Sequence, residues 1–177
     1  MHLVQGLWVA KNRQVGLAIL KRRNTNTPPR SALTNVQFCQ AGDKMKELNE
    51  FINSWSDGPM KEAFLELKEM LEKKDGVELE FKARPGISYS LRGRHKNQKD
   101  RNLFVMIDVI DDDPDNRWLS ICFYGDMITD PDEKGNLIPG GLQGEDGYCF
   151  DLDSWEKDFF AYIKERIEEA YSNASKG

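Results

Sequence analysis

Eight side chains in the middle of this chain could do chemistry together: Glu78, Glu80, Ser88, Ser90, Arg92, Asp108, Cys122 and Tyr124. They offer carboxylates for proton transfer, hydroxyls and a phenol for hydrogen bonding, a thiol, and a guanidinium whose planar fork suits phosphate or carboxylate. Their spacing is the reason to group them. Glu78 and Glu80 alternate with Val77, Leu79 and Phe81, and Ser88, Ser90 and Arg92 alternate with Ile87, Tyr89 and Leu91. With a period of two, one face of a sheet presents the polar series and the other buries the apolar one. Further along, Trp118, Ser120, Cys122 and Tyr124 form the more polar phase against Leu119, Ile121 and Phe123, and Phe104, Met106 and Asp108 join them from the preceding apolar run. Such a face fits a small-molecule cleft, with Glu78, Glu80 or Asp108 as acid/base and Arg92 as anion anchor. It equally fits a face covered by a loop or by a second subunit. The pattern assigns no catalytic residue.

Other site chemistries fail on spacing. An EF-hand counted from Asp111 needs Gly at position six and Glu at twelve, where Asn116 and Cys122 stand; counted from Asp130, Gly135 fits but Gly141 occupies position twelve. The glycine-rich stretch Gly140–Gly147 lacks the terminal Lys-Ser/Thr of a phosphate-binding loop. His95 is the only histidine after Met45, and no G-x-S-x-G elbow occurs, so a Cys149–His95 or Ser–His nucleophile would have to assemble across distant loops. Cys39, Cys122 and Cys149 lack the close pairing of a metal clip or redox motif, so neither metal nor cofactor is expected and a reducing, cytoplasmic setting fits.

The elements that must position these residues read from periodicity. Leu48, Phe51, Ile52 and Trp55 mark one helical face; Ala63, Phe64, Leu67, Met70 and Leu71 mark a second, entered at Pro59. Four strands follow, two of them in the denser runs Leu103–Ile110 and Trp118–Tyr124, and short connections make them an antiparallel meander. Residues 125–153 read as a long ordered loop with room for a short fifth strand at Tyr148–Phe150. Asp153-Ser154-Trp155-Glu156 resembles a capping box, opening a last helix whose apolar face holds Trp155, Phe159, Ile163 and Ile167. The expectation is a two-layer α+β domain with all three helices on one face of a four- or five-stranded sheet.

Alternating strand direction sends the Gly93–Arg101 loop and the loop from Gly125 to one pole, and Arg84-Pro85-Gly86 with Asp111–Arg117 to the other. The first pole combines Arg94, His95, Lys96, Lys99 and Arg101 with Asp126, Asp130, Asp132 and Glu133, a mixture that reads first as mutual charge compensation and second as an anion site.

Charge divides the 177 residues unevenly. Residues 1–44 hold seven Lys/Arg against one acid, and residues 45–177 hold eighteen against twenty-nine. The basic segment reads as an extension outside the core, with the domain spanning 45–177 and starting at Met45-Lys46-Glu47-Leu48. A transit peptide, or a small hairpin turning at Lys11–Gln14, would also account for it; Lys11 and Arg13 interrupt the apolar run that a secretory signal needs. The acidity of the domain argues against nucleic acid, and no apolar stretch approaches the ~18 residues of a membrane span.

Three segments, Arg84-Pro85-Gly86-Ile87-Ser88-Tyr89-Ser90-Leu91-Arg92, Phe104-Val105-Met106-Ile107-Asp108 and Phe123-Tyr124-Gly125-Asp126-Met127, are similar to an uncharacterised bacterial family of unknown function, covering about residues 45–175. The element order is also loosely similar to frataxin-like iron-binding domains, whose first helix is acidic; Glu47 and Glu50 are too sparse here to make that ridge. The resemblance implies a fold and no chemistry. The functional expectation is therefore a small cytosolic binding or interaction domain using the open sheet face and the 125–153 loop. Its partners would be a second subunit, another protein or a small anionic ligand. The alternative is an enzyme acting on a small polar or anionic metabolite with a carboxylate acid/base.

Overall fold

The computed structural model describes residues 30–177, with side chains from Gly42 onward; the hairpin expected at Lys11–Gln14 and the rest of residues 1–29 lie outside the described residues. Helix α1 (Arg30–Ser54) runs through Met45 without a break. Among its described side chains, core contact begins with half-buried Met45 and fully buried Leu48. Helix α2 (Pro59–Glu72) carries Pro59 in its first turn, where the missing N–H has no intrahelical role. Six strands follow: β1 (Val77–Arg84), β2 (Ser88–His95), β3 (Val105–Ile110), β4 (Trp118–Tyr124), β5 (Asn136–Leu142) and β6 (Glu145–Leu152). Helix α3 (Lys157–Lys176) closes the chain.

The strands form one antiparallel sheet in the order β1-β2-β3-β4-β6-β5. The α+β class and antiparallel sheet agree with the sequence expectation, but four or five strands is too few and the meander ends at β4. There the chain leaves a slot beside β4, runs out as β5 and returns as β6 to fill it. Strand β5 escaped notice because its sequence, NLIPGGL, contains a proline and two glycines that blunt any β signal. A register shift between Ile138 and Leu142 accommodates them. The stretch read as a glycine-rich loop is thus largely a hairpin. Its two turn residues, Gln143 and Gly144, take positive φ of 55° and 92°, the geometry that matches a two-residue turn to strand twist.

The register aligns Phe81, Leu91, Ile107, Ile121 and Phe150 across five strands on one face. All five are fully buried beneath the helices. Four details differ from expectation. Phe104 lies outside β3 and packs against Tyr171 of α3, its centroid 6.1 Å away. Gly93 makes this possible, because a Cβ there would press on the Phe104 ring and on Val105. Ile87 sits in the β1–β2 turn and is exposed, so it does not face the helices. The capping box does not form: α3 starts at Lys157 after Glu156, which makes no side-chain cap bond, and the Ser154 hydroxyl donates to Asp153. Trp155 consequently lies outside the helix, half-exposed against Phe160.

Candidate functional site

The open face of the sheet carries the opposite phase. One register row reads Glu80, Arg92, Met106, Cys122, Cys149 and Asn136; the next reads Lys82, Ser90, Asp108, Ser120 and Asp151. The eight side chains singled out from spacing all belong to this face, because period-two alternation holds unbroken through β1 to β4. They divide into three neighbourhoods.

The first is a cleft of about 570 Å³ lined by Glu78, Leu79, Glu80, Lys82, Arg92, Arg94, Asn102 and Gln143. Gln143 belongs to the turn of the far β5–β6 hairpin, so the sheet curls and its open face is hollow at this end. Arg92 and Arg94 are half-buried, and the Nε of each is buried without a hydrogen-bond partner. Arg94 Nη2 lies 3.4 Å from the carbonyl of Gln98. On the rim, Lys82 Nζ lies 3.3 Å from Glu80 Oε1.

The second neighbourhood centres on Asp108, only 9% exposed. The fully buried Ser90 hydroxyl donates to its Oδ1. Arg84 reaches to 3.9 Å from Oδ2 while donating to Ser88 Oγ at 2.6 Å. Burial pushes the Asp108 carboxyl above its ordinary pKa, against the opposing pull of the Ser90 hydrogen bond and of Arg84 and Arg92. A carboxyl held so can keep its proton, and donate it, at a higher pH than a solvated one.

The third holds Cys122 and Tyr124, neither of which is available for chemistry. Cys122 forms a disulfide with Cys149, directly opposite on β6. Cysteine spacing did not indicate this pair, since the 27 residues between them contain a strand that only the crossover accounts for. The bond also removes Cys149 as a nucleophile, and His95 is buried with Nδ1 accepting from Asn97 N–H. Tyr124 lies beneath the Arg101 guanidinium, 4.2 Å from its ring centroid. Burial, followed by the charge of Glu145, raises its hydroxyl pKa.

Arg101 itself settles the first pole. It bonds Asp126 at 2.7 Å and Glu145 at 2.5 Å, so its charge is compensated by the loop after β4 and by the start of β6. At the opposite pole Gly86 N–H donates to Asp111 Oδ2 and Arg117 Nε to Asp111 Oδ1, tying the two expected loops together. Among the described residues, no group of three or more His, Cys, Asp or Glu is placed to hold a metal ion, and no helix is long and apolar enough to cross a membrane.

Sequence reasoning missed Arg94, Lys82, Asn102 and Gln143 in the cleft. Arg94 and Lys82 were within reach, each one strand period beyond a residue already placed; Asn102 and Gln143 depend on sheet curvature. Comparison of the chain with protein-family models, curated proteins and solved structures finds no match in any of the three.

Proposed function

We propose that this domain binds a small anionic molecule in the hollow of its open sheet face, held by Arg92 and Arg94. One observation carries the reading: two guanidinium Nε groups are buried in a polar cleft without acceptors. Leaving a buried donor unpaired costs roughly 1–3 kcal/mol, and a carboxylate or phosphate oxygen would relieve that cost through a charge-assisted bond. Residues two apart on a strand stand about 7 Å apart, a span suited to one phosphate or to two carboxylates. Glu78, Glu80, Asn102 and Gln143 add acceptors, which favours an anion that also bears hydroxyl or amino groups. Neither nucleic acid nor a membrane is proposed as partner. The Cys122–Cys149 bond supports an oxidising location in place of the cytoplasm suggested by cysteine spacing.

The test is a thermal-shift panel of phosphorylated and carboxylated small molecules on the full chain. A ligand that stabilises the wild type should lose its shift in Arg92→Ala, with the melting midpoint of the free protein retained. An equal shift in the variant, or a panel with no stabilising anion, overturns the reading.

Asp108 favours a second reading, an enzyme acting on the same class of molecule. Its buried, proton-retaining carboxyl beside Ser90 suits general acid catalysis better than the exposed Glu78 and Glu80 do.

A further inference from the structure

The sheet has two edges, and they are built differently. Strand β5 is broken by Pro139, by Gly140 and Gly141, and by a register shift, devices that stop an edge from templating another strand. Strand β1 has none of these. Its eight residues pair without interruption to β2 on one side and to no strand on the other.

The charge order along β1 is antisymmetric. Glu78 and Glu80 precede Phe81, Lys82 and Arg84 follow it, and all four side chains lie on the open face, at least half-exposed in the case of Glu80 and Arg84. In antiparallel pairing about a two-fold axis through Phe81, Glu80 falls opposite Lys82 of the second strand and Glu78 opposite Arg84. Both contacts occur twice by symmetry. In parallel pairing in register, each charge would instead meet its own kind.

The backbone supports the same axis. Lys96 N–H donates to the Gly76 carbonyl at 2.8 Å. Alternation along an antiparallel ladder then points the backbone groups of the even-numbered β1 residues at β2, and those of Leu79, Phe81 and Ala83 outward. With Phe81 on the axis, these outward groups meet their equivalents as mutually hydrogen-bonded pairs, 79 with 83 and 81 with 81.

We propose that β1 pairs with β1 of a second copy of this chain, in antiparallel register about Phe81, to make a two-fold dimer with a continuous sheet. The inference is independent of the anion site, since it needs only the edge and its charge order. The dimer would bring the two Glu80/Lys82 rims side by side and so extend the open face.

Oligomeric mass in solution tests it, through a pair of charge reversals. Wild type at low salt should show twice the 20.4 kDa of the chain by light scattering, shifting toward monomer as salt screens the exposed pairs. Glu80→Lys places a lysine opposite Lys82 of the second copy, and Lys82→Glu places a glutamate opposite Glu80, twice in each homodimer. Each variant alone should self-associate at least about tenfold more weakly than wild type. Mixing the two restores both attractions, so an equimolar mixture should return to dimer mass. Circular dichroism and melting midpoint check that each variant remains folded, which these solvent-facing positions favour. A monomeric wild type, single variants as dimeric as wild type, or a mixture that stays monomeric would each overturn the proposal.

Discussion

Ile107 and Asp108 are neighbours on β3 whose side chains leave the sheet in opposite directions, and they show how differently its two faces are built. Ile107 is fully buried in a row of apolar side chains that runs from Phe81 to Phe150 under three helices. Asp108 is nearly as buried, yet its neighbours are a hydroxyl, a guanidinium and the row leading to Ser120 and Asp151. Burial on the first face comes from a second layer of structure. On the open face it comes from long side chains leaning over short ones and from sheet curvature. The difference teaches that a buried residue is not by itself a core residue: the helix side is apolar and closed, whereas the other side keeps polar groups at depth within reach of a ligand.

The comparison breaks first, and hardest, at Ile107. Ile107→Asp would bury an unpaired charge among apolar side chains, and a loss above about 4 kcal/mol is expected, enough to unfold a domain of ordinary stability. Loss of the cooperative melting transition checks it; an unchanged midpoint would mean the buried face has been misassigned.

A smaller effect is expected from the staple on the open face. Replacing Cys122 and Cys149 together by Ala removes a cross-link between residues 27 apart, and the expected loss is roughly 3 kcal/mol. Denaturant midpoints should fall in the double variant, and wild type treated with a dithiol reductant should fall to match it. If reductant leaves the wild-type midpoint unchanged while the double variant is destabilised, the loss belongs to side-chain packing and not to the bond.

The smallest effect, and the one that sharpens the contrast, belongs to Asp108. A carboxyl whose native pKa lies above its unfolded value of ~3.9 holds its proton more tightly when folded. The stabilisation is therefore present below the unfolded pKa and is lost as pH rises through the native one. At pH 7 the buried carboxylate is a liability, which Asp108→Asn removes while leaving a carbonyl to accept the Ser90 hydrogen bond. The variant should melt slightly above wild type at pH 7, with the difference closing toward pH 3. A difference independent of pH would show that the carboxyl does not titrate with folding in this window.

The face division was legible in the residues because alternation is a local property: each β1–β4 side chain is assigned by its parity with respect to Phe81, Leu91, Ile107 or Ile121. Helix α2 was legible for a similar reason, its apolar stripe and Pro59 being set within two turns. The failures share the opposite cause. The start of α3 rested on a capping pattern that the chain does not use, because the Asp153 side chain accepts from Ser154 instead. Trp155 was lost with it.

From sequence alone, then, this chain determined its class, its helix-bearing face and the identity of the polar residues on the other, since these follow from periodicity and side-chain chemistry a few residues apart. Tertiary structure decided the rest. The place of β6 between β4 and β5, the Cys122–Cys149 bond and the approach of Gln143 to the Arg92–Arg94 cleft join residues far apart in the chain. Such pairings are selected by the global competition for backbone hydrogen bonds and apolar burial, which no local window of the sequence contains.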